Sequence, residues 1–221
     1  MHDYTKFCIS ELRECLRSEC PYFDWASGEE VVKGKDFKTQ IDVSGENNNH
    51  VVLIQFEMRR ESGICTNALK IAYCLESDSR LREKQILILH VLSPFSEKPN
   101  EAHNESEQIS VPGWVPEADR DKYPEFLKGR TKKERRESAR KSASKYKLLL
   151  LFLKRKGVLD SATTTYEVIE WNLDDFPEVR EATIVLPTKE AFPKSTPQAV
   201  TNLARQLAKA IHQWQNRLAK S

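Results

Sequence analysis

A stretch of eight mostly apolar residues, QILILHVL over residues 85–92, restricts the folds open to this chain more than any other feature. A strand of this kind has no polar face, so it must be buried on both sides, as in parallel sheets covered by helices. The two segments that precede it are consistent with such a sheet, because residues 64–76 have the spacing of an amphipathic helix and residues 51–60 alternate like a strand. The chain is therefore expected to form a mixed sheet flanked by helices.

The same reading extends to the rest of the chain. Helices are predicted over residues 4–19, 131–156 and 196–219, strands over 37–43, 163–173 and 182–186, an extended segment over 22–33, a polar turn over 44–50 and a long polar loop over 93–128. The first 95 residues thus follow the order α-β-β-β-α-β. We predict one α/β (α+β) domain over residues 1–221, with a core over 4–92, a loop and basic-helix insertion over 93–156, and C-terminal strands and a helix over 157–221.

Composition argues against several functional classes. The longest apolar run, Leu148 to Leu153, is six residues, whereas a membrane-spanning helix needs about 18 or more. The first 20 residues contain no apolar segment typical of a signal peptide, and the seven glycines form no phosphate-binding loop. Five cysteines without a CxxC pair predict reduced thiols and a cytoplasmic protein.

Charge is distributed unevenly along the chain, whose net charge is only +2. Residues 128–156 contain 13 basic and two acidic residues, a local charge of +11, so the remainder of the chain carries −9. Too few acidic residues lie there to form the ion pairs of an ordinary solvated helix. We therefore predict contact with nucleic acid, the alternative being a solvated helix face. The residues assigned to DNA binding in this segment are Arg130, Lys132, Lys133, Arg135, Arg136, Arg140 and Lys141.

Two carboxylates on neighbouring predicted strands are the main candidate for a chemical site. Asp42 lies near the end of one strand, and Gln55, Glu57 and Arg59 share one face of the next. A short polar turn joins the strands, so we expect them to pair antiparallel, with facing side chains about 5 Å apart. Asp42 and Glu57 would then share a cation, since Mg²⁺ is typically held by one or two carboxylates plus substrate phosphate. The alternative is a strand with an ordinary solvent-facing polar side.

This arrangement resembles the PD-(D/E)xK nuclease superfamily, which includes type II restriction endonucleases and also repair and defence nucleases. The resemblance covers residues 4–92 and consists of the element order, an aspartate on the second strand and an E-x-basic motif on the third. It implies a restriction-endonuclease-like fold and Mg²⁺-dependent hydrolysis of DNA, with Mn²⁺ as an alternative ion. It also implies that Asp42 and Glu57 are the metal ligands and that Arg59 occupies the position of the catalytic lysine.

Other site residues are expected around this pair. The first helix often supplies an acidic residue in the superfamily, for which Glu11 and Glu14 are candidates, and Glu11 lies at the edge of the apolar helix face. Gln55 is expected to line the cleft as a further catalytic residue, and Asn67 to contact DNA from the second helix. His90, inside the apolar strand, is expected to be a hydrogen-bonded core histidine rather than a ligand.

Arginine at position 59 leaves alternatives open. It stays charged and is a poor general base, so water activation would fall to the metal. A catalytically inactive nucleic-acid-binding or defence-complex subunit with the same fold is the second hypothesis, and a module that binds an acidic protein is the third. Under the first hypothesis the partner is double-stranded DNA, no membrane is involved, and a homodimer is expected only by analogy with restriction enzymes.

Overall fold

The computed structural model describes residues 3–57, 63–81, 83–93, 146–171, 175–176 and 192–220 of the chain. Within these ranges it contains four helices and seven strands. In chain order they are α1 (Asp3–Glu19), β1 (Asp24–Trp25), β2 (Glu30–Lys33), β3 (Lys38–Ile41), β4 (Val43–Glu46), β5 (His50–Glu57), α2 (Gly63–Ser77), β6 (Gln85–Leu92), α3 (146–155), β7 (Thr164–Glu170) and α4 (Thr196–Leu218).

Five strands form one mixed sheet in the order β1-β4-β5-β6-β7. β4 runs antiparallel to β5, whereas β6 is parallel to both of its neighbours, β5 and β7. β2 and β3 form a separate antiparallel hairpin. Helix α2 therefore connects two adjacent parallel strands, and the prediction of a mixed sheet flanked by helices is confirmed.

The single strand predicted over residues 37–43 is wrong, because the chain bends at Asp42 and forms two strands. β3 pairs with β2, whereas β4 begins at Val43 and pairs with β5. In one continuous strand Ile41 and Val43 would share a face, but they pack into different cores on opposite sides of the sheet. The bend thus allows both apolar side chains to be buried.

The polar turn between β4 and β5 is shorter than the predicted span of 44–50, because β4 continues to Glu46. Asn47 caps the turn: its side-chain oxygen accepts hydrogen bonds from the backbone N–H groups of Asn49 and His50 at 3.1 and 2.9 Å. Asparagine favours such turns because its side chain replaces a backbone acceptor.

Two apolar cores cover the opposite faces of the sheet, and we call these sides the α1–α4 face and the α2–α3 face. Strand β6 contributes to both in alternation: Leu87, Leu89 and Val91 to the α1–α4 face, and Ile86, Ile88 and Leu92 to the α2–α3 face. Every residue of β6 after Gln85 is buried. The prediction of a strand buried on both sides is therefore confirmed.

The helix predicted over residues 131–156 is confirmed where it is described, over 146–155. Tyr146, Leu150 and Leu153 pack on the α2–α3 face. Other apolar residues of this helix face solvent, since Leu148 and Phe152 are 65% and 46% exposed. A helix packed on one sheet face buries only one stripe of its surface.

The other predictions divide between confirmed elements and parts that lie outside the described residues. Helices α1, α2 and α4 lie within one or two residues of their predicted bounds, and β7 is shorter than the predicted strand over 163–173. The predicted strand over 182–186 and the loop over 94–128 lie outside the described residues. All five cysteines are free thiols, and none of the described helices is both long and apolar enough to cross a membrane.

Candidate active site at the carboxyl end of strand β5

Asp42 occupies the bend between β3 and β4, and its carboxylate is held by the neighbouring strand. Val43 is the first residue of β4 and pairs with Ile54, so the backbone N–H of Phe56 lies beyond the strand ladder. That N–H donates instead to Asp42 Oδ2 at 2.7 Å. From α1, Arg13 donates to the backbone carbonyl of Asp42 at 2.5 Å. The bend and the carboxylate are therefore fixed together, and only 9% of Asp42 is exposed.

Glu57 is the last residue of β5 and is 8% exposed. Its Oε1 accepts two hydrogen bonds, one from Asn67 Nδ2 at 2.9 Å and one from His90 Nε2 at 3.0 Å. Both donors act on the same oxygen, so among the described residues the second oxygen, Oε2, has no hydrogen-bond donor.

The two carboxylates influence each other electrostatically. Burial raises the pKa of Asp42 from its ordinary value of 3.8 to about 6, and the negative charges of Glu57 and Glu29 act in the same direction. The hydrogen bond from Phe56 and the guanidinium of Arg13 oppose this rise in the pKa. An ionised Asp42 beside Glu57 is thus costly in the fold, and a cation between them would lower that cost.

Gln55 provides another side-chain oxygen near Glu57 that has no hydrogen-bond donor among the described residues. Gln55 lies two residues before Glu57 on β5, and its side-chain Oε1 is buried without a hydrogen-bond donor among the described residues. Because residues two apart on a strand point to the same side, this oxygen lies on the face of β5 that carries Glu57. Carboxylate and amide oxygens are the ligands that a hard divalent cation takes.

The oxygen atoms of these side chains are of the type that binds a magnesium ion. Asp42 and Glu57 are a pair of carboxylates, each with one oxygen that has no hydrogen bond within the described ranges, and Mg²⁺ usually binds one or two protein carboxylates and keeps several waters. No larger group of three or more His, Cys, Asp or Glu residues suited to a metal exists in the part of the chain that the structure describes.

The remaining predicted site residues are placed only in part. Arg59 lies outside the described residues, so its position relative to Glu57 stays a prediction. Glu11 is half-buried on α1 beside Cys8, and its charge contributes to the raised pKa of that thiol. From α1, it is Arg13 that reaches Asp42. Its role was not expected from the sequence.

Asn67 was expected to contact DNA, but its side-chain amide donates to Glu57. The seven basic residues assigned to DNA binding, Arg130, Lys132, Lys133, Arg135, Arg136, Arg140 and Lys141, lie outside the described residues. In the described end of the basic segment, Lys147 pairs with Glu170 at 2.5 Å and Lys154 with Glu167 at 3.2 Å. Carboxylates of β7, outside the basic segment, therefore pair with these two lysines.

His90, like Arg13, is a site residue whose role sequence reasoning missed. It is a fully buried, hydrogen-bonded histidine, as expected, but one of its partners is Glu57 and the other is Tyr166. A polar residue inside an otherwise apolar strand was the available signal. Its partners were not predictable, because they lie on two other strands whose register is set by the folded sheet.

Comparisons with protein-family models, with curated proteins and with solved structures found no match to this chain. Its function is therefore inferred from the geometry and chemistry of the site.

Proposed function

We propose that this protein is a Mg²⁺-dependent endonuclease that hydrolyses DNA phosphodiester bonds, of the restriction or defence type. The observation that carries the proposal is the burial of two carboxylates near each other: Asp42 accepts a hydrogen bond from the backbone N–H of Phe56, the residue before Glu57, and the charge of Glu57 helps to raise the pKa of Asp42. Sequence-distant carboxylates brought together in this way are typical of sites that hold a divalent cation.

The topology supports a restriction-endonuclease-like domain. Helix α1, strands β1, β4 and β5, helix α2 and strand β6 follow the α-β-β-β-α-β order, with the β2–β3 hairpin inserted between the first two strands. Asp42 immediately precedes the second of these strands and Glu57 ends the third. These are the places at which the resemblance requires the aspartate and the E-x-basic motif.

The proposed roles follow from the chemistry of each group. Asp42 and Glu57 would hold Mg²⁺, or Mn²⁺ in its place, and the ion when bound makes a bound water more acidic and polarises a phosphoryl oxygen. Arg59 would stabilise the charge that develops on the phosphate. The basic residues over 128–147 would hold the backbone of double-stranded DNA through its phosphates.

The test is incubation of supercoiled and linear DNA with the purified protein and Mg²⁺, with and without EDTA. We expect metal-dependent cleavage that Glu57→Gln reduces about 100-fold or more, because removal of a metal ligand takes away several kcal/mol of transition-state stabilisation. Glu46→Gln is the matched control: this exposed carboxylate lies at the far end of β4, paired with Lys84, and its removal should leave cleavage unchanged.

Two other outcomes would contradict the proposal. DNA binding with no cleavage by the wild-type protein in Mg²⁺ or Mn²⁺ would favour the inactive nucleic-acid-binding subunit, for which arginine at position 59 is the specific observation. Absence of both DNA binding and cleavage would favour the protein-interaction module.

A further inference from the structure

A chain of hydrogen-bonded side chains crosses three parallel strands beside the carboxylate pair. Glu57 on β5 accepts from His90 on β6 at 3.0 Å, and His90 Nδ1 is in turn hydrogen-bonded to the hydroxyl of Tyr166 on β7. The strand register explains the alignment. His90 is opposite Gln55, two residues before Glu57, and Tyr166 is opposite Ile88, two residues before His90. The three hydrogen-bonded side chains therefore lie diagonally across one face of the sheet.

The chain is buried in an otherwise apolar core. His90 and Tyr166 are both fully buried, and Tyr166 packs within the apolar cluster of the α2–α3 face. Burying such groups is costly unless they are hydrogen-bonded. In each hydrogen bond of His90 and Tyr166 we therefore expect one group to be the fixed donor and the other the fixed acceptor.

The direction follows from what each group can donate. An ionised Glu57 only accepts, so His90 Nε2 carries the proton that is donated to it. In the neutral imidazole Nδ1 is then the acceptor, and the Tyr166 hydroxyl donates to it. Burial and the negative charge of Glu57 raise the pKa of Tyr166 well above its ordinary value, which keeps its hydroxyl protonated and able to donate.

These hydrogen bonds fix the orientation of the Glu57 carboxylate. His90 and Asn67 both donate to Oε1, which fixes the rotation of the carboxylate and leaves Oε2 without a donor among the described residues. In metal sites, groups that orient a ligand in this way typically change metal affinity or activity by about 10- to 100-fold when they are removed.

We propose that His90, oriented by Tyr166, is a positioning residue that holds Glu57 with one carboxylate oxygen directed to the divalent cation of the proposed active site. This inference rests on the proposed function. It adds that metal affinity depends on two fully buried residues that are not themselves ligands.

The experiment is calorimetric titration of Mn²⁺ into the full-length protein and its variants. His90→Leu should weaken Mn²⁺ binding about 10- to 100-fold, whereas His90→Gln, which retains an N–H donor, should recover part of that affinity. Tyr166→Phe removes one hydroxyl and should weaken binding by a smaller factor. Tyr146→Phe is the matched control, because Tyr146 packs against the same core, and it should bind Mn²⁺ like the wild type.

A purely structural role for His90 and Tyr166 would lower the melting temperature without changing Mn²⁺ affinity in the folded protein. Far-ultraviolet circular dichroism and thermal unfolding of each variant therefore accompany the titrations. Wild-type Mn²⁺ affinity in folded His90→Leu and Tyr166→Phe variants would overturn the proposal. In the metal-free protein, histidine ¹⁵N chemical shifts should identify His90 as the Nε2–H tautomer, and the opposite tautomer would also overturn it.

The two proposals fail in different ways. If Mn²⁺ binds with the expected dependence on His90 but DNA is not cleaved, the endonuclease proposal fails and the positioning role stands. If DNA is cleaved and Mn²⁺ affinity is insensitive to His90, the positioning role fails and the endonuclease proposal stands. A wild-type protein that binds no Mn²⁺ overturns the positioning role, because there is then no cation for Glu57 to meet.

Discussion

At the scale of single residues, Asp42 is the group in which folding and proposed function oppose each other. Asp42 is 9% exposed, and its pKa in the folded protein is raised from 3.8 to about 6, first by burial and then by the charge of Glu57. Between these two pH values the folded protein holds the proton more tightly than the unfolded chain. The contribution of Asp42 to the stability of the metal-free protein therefore falls as pH rises through this window and stays lower above it.

Asp42→Asn is expected to stabilise the metal-free protein at pH 8. The amide cannot ionise, and its side-chain oxygen still accepts the hydrogen bond from Phe56, so most of the ionisation cost disappears. The rise in the pKa of Asp42 corresponds to about 3 kcal/mol, and we expect Asp42→Asn to increase the free energy of unfolding by roughly 1–3 kcal/mol. Urea denaturation in EDTA at pH 8 and at pH 4 measures it.

The gain should shrink at pH 4, where the wild-type carboxyl is largely protonated in the folded state. Glu46→Gln, which removes an exposed carboxylate from β4, should show no comparable difference between the two pH values. A lower stability of Asp42→Asn at pH 8 would contradict the assignment of a costly buried charge. Added Mg²⁺ should stabilise the wild type and not the variant, because only the wild type keeps both ligands.

At the scale of secondary-structure elements, the two-residue strand β1 depends on a close approach to β4. Trp25 pairs with Gly45 across the two strands. A Cβ atom at Gly45 would lie 2.7 Å from the indole ring of Trp25, which is itself 3% exposed. Glycine is therefore required here by the ring packed against the backbone and not by an unusual backbone angle.

Gly45→Ala is expected to destabilise the protein by about 1–3 kcal/mol, because the indole must shift within a well-packed core. Chemical denaturation followed by tryptophan fluorescence measures the change. Gly28→Ala is the control: its added Cβ meets nothing within 4 Å, so its effect should be small. Equal stability of the two variants would show that the ring moves aside without cost.

Also at this scale, the sequence predicts the bounds of an element correctly where the spacing of its own apolar residues is sufficient. Helix α4 and strand β6 match their predicted spans closely, since apolar residues recur at the period of the element itself. The prediction for residues 37–50 was wrong because the alternation over 37–43 looks like one strand and the polar residues 44–46 look like part of the turn, whereas the chain forms two strands on either side of Asp42. The break at Asp42 arises only because Ile41 and Val43 are buried on opposite sides of the sheet.

At the scale of the whole molecule, the asymmetric charge is the feature that bears on a partner. The segment over residues 128–156 carries +11 while the rest of the chain carries −9. Two of its lysines, Lys147 and Lys154, are engaged by carboxylates of β7. DNA contact is therefore predicted to depend on the basic residues that precede α3 in the sequence.

The triple variant Arg135→Gln, Arg136→Gln and Arg140→Gln is expected to weaken DNA binding and its dependence on salt. Removal of each side chain that neutralises a phosphate should reduce the slope of log K against log salt by about 0.9 on duplex DNA. Fluorescence anisotropy over a range of salt concentrations measures both quantities. Binding in Ca²⁺ or EDTA keeps the DNA intact.

The control is a triple variant on and beside α4, with Arg205, Lys209 and Lys220 changed to Gln, all of which are exposed. It removes the same charge from another part of the sequence and should leave the slope unchanged. Equally weakened binding in the two triple variants would indicate net charge alone, without a localised DNA-binding segment.

Local periodicity was sufficient to predict the α/β class, the helices α1, α2 and α4, and the doubly buried strand β6, because each pattern lies within one short stretch of chain. Asp42 and Glu57 were singled out in another way, from the expected neighbourhood of two strands joined by a short turn and from the resemblance to the nuclease superfamily. The hydrogen bonds of Glu57 with His90 and of His90 with Tyr166 were not visible in the sequence. They depend on the register of β5, β6 and β7, strands that are far apart in the chain and are aligned only when both sheet faces are packed.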